Sequence, residues 1–188
     1  MMICTVIVFP TQEERHVYDG FIRLHVLANS DSDDDQALKL KVRDAVLEDV
    51  SELTAGCTDV AQAKEVLAAN TDRLVSTASA AVHAEGRDDT VQVVMGQEYY
   101  PTRGYDGIRL PAGVYESVRI LIGEAQGQNW WCVLFPPLCV NTAAPEEQMI
   151  EAGFTEGQIR ILTENENPRY VLKFRILELF AELREHFA

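Results

Sequence analysis

Two strand-like stretches, VYESVRILIG at 114–123 with apolar residues on alternate positions and the wholly apolar WWCVLF at 130–135, stand on either side of Gly127–Gln128–Asn129. Val114, Val118, Ile120 and Ile122 share one face of the first stretch, because successive strand residues point to opposite sides. The glycine-bearing tripeptide reads as a hairpin turn joining two neighbouring strands. Pro136 and Pro137 end the second strand, since proline has no N–H for the ladder. A sheet with one apolar face needs a covering layer, so the rest of the chain must supply one.

Helical patterns supply it. Leu38, Val42, Ala45, Val46, Val50 and Leu53 recur at helical spacing, with Ser30 or Ser32 as cap, aspartates in the first turn and Gly56 as the stop. A second, alanine-rich helix from near Thr58 to about His83 carries Val60, Ala63, Leu67, Leu74, Ala78, Ala81 and Val82 on one stripe, and packs against the first as a hairpin. FIRLHVLA at 21–28, with Ile22, Leu24 and Val26 on one face, and VQVVM at 91–95 add two strands. After a polar stretch at 141–168, a last helix from about Pro168 to Phe187 has the stripe Leu172, Ile176, Leu179, Phe180, Leu183 and Phe187. The order predicts an α+β fold, a small, mostly antiparallel sheet packed against a helical hairpin and a C-terminal helix. Residues 21–188 form one domain. Residues 1–20 read as a truncated export or anchor remnant with a spacer, the alternative for MMICTVIVFP being a short N-terminal strand.

Charge narrows the partners. With 30 acidic against 16 basic side chains the net charge is −14, which repels nucleic acid and anionic headgroups. No run reaches the length of a membrane span. Cys132 and Cys139 flank a double-proline bend, a spacing that suits a small disulfide loop or two buried thiols; Cys4 and Cys57 are expected to stay unpaired.

Catalytic patterns are missing from the sequence. Asp31, Asp33 and Asp35 begin like a calcium loop, but Gln36 and Val42 stand where its glycine and glutamate belong, so no metal is expected. No G-x-S-x-G elbow or H-E-x-x-H spacing occurs, and no glycine-rich phosphate cradle calls for a cofactor. An extracytoplasmic hydrolase would need a concave site gathering Cys132, His25 or the acidic run, each with a partner in reach. A Cys132–His25 pair depends on the fold bringing them together, and Cys132 lies in an apolar strand. Binding chemistry is better represented. Tyr99, Tyr100, Arg103 and Tyr105 are residue types favoured at interface hot spots. Trp130 and Trp131 must face opposite sides of their strand; Trp131 is assigned to the core and Trp130 to a partner.

Three blocks, IRLHVLANSDSDDDQALKLKVRDAVL at 22–47, YPTRGYDGIRLPAGVYESVRILIG at 100–123 and GQNWWCVLFPPLCV at 127–140, resemble the stage II sporulation protein R family in order and spacing. The likeness is dense over about 21–140 and looser in the C-terminal helix. It implies a non-enzymatic signal made in the forespore and exported to the space between the forespore and mother-cell membranes. There it would activate a membrane-embedded, aspartic-type protease of the mother cell, which processes a sigma-factor precursor. Export of this kind fits a Cys132–Cys139 disulfide. The alternatives from other classes are the extracytoplasmic hydrolase and a structural module of the septum.

Overall fold

Strand β1 (Ile22–Leu27) is buried along almost its whole length, and the computed structural model, which describes residues 17–105, 107–138 and 145–163, shows why. The remaining strands of the main sheet are β2 (Val91–Tyr100), β5 (Gly113–Ile122) and β6 (Asn129–Phe135). Their order is β2-β5-β1-β6, so β1 is an interior strand, parallel to β5 and antiparallel to β6. β2 pairs antiparallel with β5 from Val91↔Ile122 to Tyr100↔Gly113. A second sheet pairs β3 (Arg103–Tyr105) with β4 (Ile108–Leu110). The α+β class holds, and two of the three main ladders are antiparallel.

The expected hairpin between β5 and β6 is instead a connection that passes the end of β1. Residues 123–128 dock on the loop that follows β1. Gly127 donates its N–H to the Ala28 carbonyl at 2.9 Å, and Gln126 to that of Asn29 at 3.2 Å. Glu124 N–H is held by Asn29 Oδ1 at 3.0 Å and Gln128 N–H by Asp31 Oδ1 at 2.7 Å. Turn chemistry is a local signal and does not register a strand inserted between its arms. Gly127 is required for close approach: a Cβ would overlap the Ser30 carbonyl group and lie 2.9 Å from Ala28 Cβ.

Helices α1 (Asp33–Thr54), α2 (Val60–Ala69) and α3 (Thr71–Ala84) cover one face of the sheet. The single helix expected over 58–83 breaks at Asn70, whose φ of −113° and ψ of 19° leave the helical basin. Leu38, Val42, Val46, Leu67, Leu74, Ala78 and Val82 meet Ile22, Leu24, Val26, Val118, Ile120 and Ile122 in the main core. α1 is capped by Ser32, whose hydroxyl accepts from Asp35 N at 3.2 Å. Asp35, one of the calcium-loop aspartates, is a structural hub. It accepts from Ser30 Oγ at 2.5 Å, Asn29 Nδ2 at 2.9 Å and Arg87 at 2.5 Å. The Ser30 bond, then those from Asn29 and Arg87, hold its carboxyl well below the usual range against the opposing effect of burial.

The other face carries a second, smaller core under β3, β4, α4 (Pro145–Glu151) and α5 (Glu156–Thr163). Both short helices lie in the stretch read from sequence as polar. Val17 and Phe21 are fully buried in this core, and Tyr18 donates to the Ala112 carbonyl at 3.1 Å. Residues 1–16 and the helix expected over 168–187 lie outside the described residues. Among the described residues no helix is long and apolar enough to cross a membrane.

Candidate functional site

The register lines side chains up in rows across the sheet. On the face away from α1–α3, one row reads Val94, Arg119, His25, Trp131, and the next Gly96, Ser117, Arg23, Val133. Strand alternation creates this face, because Ile22, Leu24 and Val26 point into the helical core and leave Arg23 and His25 on the opposite side.

Arg23 is fully buried. Its Nε donates to the Cys132 carbonyl at 3.2 Å and Nη2 to Tyr105 Oη at 2.7 Å, while Nη1 has no hydrogen-bond partner among the described residues. The guanidinium carbon lies 4.3 Å from the ring centre of Tyr100, 4.9 Å from that of Tyr115 and 5.5 Å from that of Tyr105. A buried cation is costly without compensation, and three aromatic faces supply it here. Burial raises the phenol pKa of all three tyrosines, so they stay neutral.

Next to this cage, Glu98 gathers two partners. Its Oε1 lies 2.9 Å from His25 Nδ1 and its Oε2 accepts from Ser117 Oγ at 2.9 Å. Burial alone would raise the Glu98 carboxyl, but the His25 and Ser117 hydrogen bonds, with the charge of Arg119, hold it below its ordinary value. Ser117 also pairs with Tyr100 Oη at 2.6 Å, and His25 Nε2 lies 2.9 Å from Asn129 Oδ1.

Serine, histidine and glutamate together suggest a nucleophile, yet the connectivity is wrong for one. Activation requires the serine hydroxyl on a histidine nitrogen. Here Ser117 is buried and bonds to the carboxylate, and both imidazole nitrogens are occupied elsewhere. The Cys132–His25 pair of the hydrolase alternative is also ruled out, because Cys132 belongs to the helical core and His25 to the opposite face. Among the described residues no group of three His, Cys, Asp or Glu side chains is placed to hold a metal.

The candidate binding residues separate. Tyr100 is fully buried in the second core, where it cannot meet a partner without opening the fold. Tyr99 is half-buried at the end of β2, which runs five residues beyond the expected strand. Tyr105 is half-buried and spends its hydroxyl on Arg23. Arg103 is exposed, with its guanidinium 4.2 Å from the Trp131 ring centre. The two tryptophans are both half-buried, one on each side of the sheet. Trp130 packs on the helical side with Arg43 4.7 Å from its ring centre, whereas Trp131 lies half-buried on the second face beneath Arg103. The apolar Cys132 and Leu134 set which side faces the helices, and strand parity carries Trp130 with them. Cys139 lies outside the described residues. Arg23, Glu98 and Ser117 were missed, and His25 was weighed only as a partner for Cys132; the alternation of Arg23 and His25 with three apolar residues was the signal for this face.

Residues 18–144 match the family model described as stage II sporulation protein R. The stage II sporulation protein R of Bacillus subtilis (strain 168) is 40% identical over 134 residues, covering 69% of this chain and 60% of that protein. The chain thus spans about 60% of the length of this curated relative. No solved structure matches it.

Proposed function

The chain belongs to the stage II sporulation protein R family, and from that premise we propose that it is a secreted sporulation signal that works by binding. In this reading it acts between the forespore and mother-cell membranes and switches on a membrane-embedded, aspartic-type protease of the mother cell, which then processes a sigma-factor precursor. One observation supports binding over catalysis. The polar network on the second sheet face, His25–Glu98–Ser117, spends its hydrogen bonds on itself and on Tyr100 and Asn129, and keeps its serine buried. Such a network fixes a face in place and leaves no activated nucleophile.

The same reading includes a Cys132–Cys139 disulfide, suited to an oxidising compartment. Cys57 is a free thiol, and burial followed by the nearby Asp59 raises its pKa, which slows its oxidation. The direct experiment is co-expression with the protease and its sigma-factor precursor in a non-sporulating host. Processing that depends on this chain is the expected result. Equal processing with and without it would refute the signalling role.

A further inference from the structure

On this acidic chain, five surface cations of the helical side are already committed to carboxylates. Lys41 holds Glu85, Arg43 holds Asp44, Lys64 holds Glu116, Arg73 holds Asp49 and Glu52, and Arg87 holds Asp35 and Asp89. The second sheet face differs. Arg103 is exposed and stacked on Trp131. Arg119 is half-buried in the row Val94–Arg119–His25–Trp131, where it acts on Glu98 through its charge and bonds no carboxylate among the described residues. Beyond that row Leu121 is half-buried and Gln92 exposed. The second core covers the opposite end of the face, under β3, β4, α4 and α5. Among the described residues, this half of the sheet thus presents two cations bonded to no carboxylate, set among partly exposed apolar side chains.

We infer that this half-face, centred on Arg103, Arg119 and Trp131, docks a partner-protein segment in which carboxylates accompany apolar residues. Charge complementarity selects the occupant. Arginine with an aromatic neighbour is favoured at interface anchors, and guanidinium groups free of carboxylates are matched by acidic side chains. A net charge of −14 disfavours both a second copy of the chain and an anionic lipid surface. The buried Arg23–Tyr105 bond holds β3 against β1, so Arg103 is presented from a fastened hairpin. The inference rests on the signalling reading and names the surface that signalling would use.

The test measures binding to the mother-cell protease reconstituted in nanodiscs. The Arg103→Glu/Arg119→Glu double variant is compared with Lys41→Glu/Lys64→Glu, which makes the same change in net charge on the helical side. Binding of the first should weaken by about tenfold or more, with the difference shrinking as salt rises, while the control stays close to wild type. Arg103→Lys/Arg119→Lys should retain most of the binding, which separates lost charge from lost folding. Equal weakening in both glutamate variants would overturn the surface, as would wild-type affinity in both. So would arginine-dependent binding to protease-free phosphatidylglycerol vesicles, or arginine-dependent dimerisation in sedimentation. If the wild-type chain fails to bind the protease at all, the signalling reading falls and the surface with it.

Discussion

Replacing Gly127 by alanine probes the connection that distinguishes this sheet from a simple hairpin. The added Cβ would overlap the Ser30 carbonyl group, sit 2.7 Å from its carbon and 2.9 Å from Ala28 Cβ. The first neighbour is backbone, and Ala28 Cβ has no rotamer to change, so one of the two loops must shift. Overpacking of this kind costs about 1–3 kcal/mol. The shift also threatens the Gly127–Ala28 and Gln128–Asp31 hydrogen bonds, at about 1 kcal/mol each. The expected loss is therefore about 3–5 kcal/mol in urea unfolding, seen as a lower midpoint with an unchanged slope. Gly96→Ala is the control, since nothing lies within 4 Å of its added Cβ; it should be neutral or stabilise by about 0.5–1 kcal/mol. A Gly127→Ala loss below about 1 kcal/mol would mean that the connection does not dock on the loop after β1.

Asp35→Asn should cost about 2 kcal/mol at neutral pH, because it weakens charge-assisted bonds to a buried carboxylate. The folded carboxyl is held below its ordinary value, so its contribution is complete above the usual carboxylate range and fades as pH falls below about 4. Urea unfolding of both proteins at pH 7 and pH 3 checks this, and the gap should narrow in acid. Calcium should leave the melting temperature where magnesium leaves it, since Asp35 and Asp31 are already engaged within the chain; a calcium-specific rise would contradict that assignment. Thiol counting under denaturing, non-reducing conditions should find two free cysteines, Cys4 and Cys57, and four would exclude the Cys132–Cys139 bridge.

What the sequence made legible was periodic. The stripe from Leu38 to Leu53 gave α1, and the alternation of Ile22, Leu24 and Val26 gave the core face of β1. Long-range pairing was not legible. Nothing local in Gly127–Gln128–Asn129 distinguishes a hairpin turn from a connection docked on residues 28–31. Aromatic content marked the residues around Arg23, but residue type does not report burial. Tyr100 and Tyr105 both serve Arg23, and strand parity, fixed by Cys132 and Leu134, decided which tryptophan faces which layer. The network on the second face escaped notice because its members are spread from residue 23 to residue 129 and meet only when β1 enters the sheet interior.

The central claim is that the chain signals by binding and that its serine–histidine–glutamate cluster is structural. Precursor processing should be measured in a non-sporulating host with the protease and precursor present, adding no chain, the wild type, or Ser117→Ala. Ser117→Ala removes the hydroxyl shared by Glu98 and Tyr100 and should lower the melting temperature. Processing should require the chain, folded Ser117→Ala should support it as the wild type does, and the chain without the protease should leave the precursor intact. Processing abolished by a folded Ser117→Ala protein, or cleavage of the precursor by the chain alone, would contradict it.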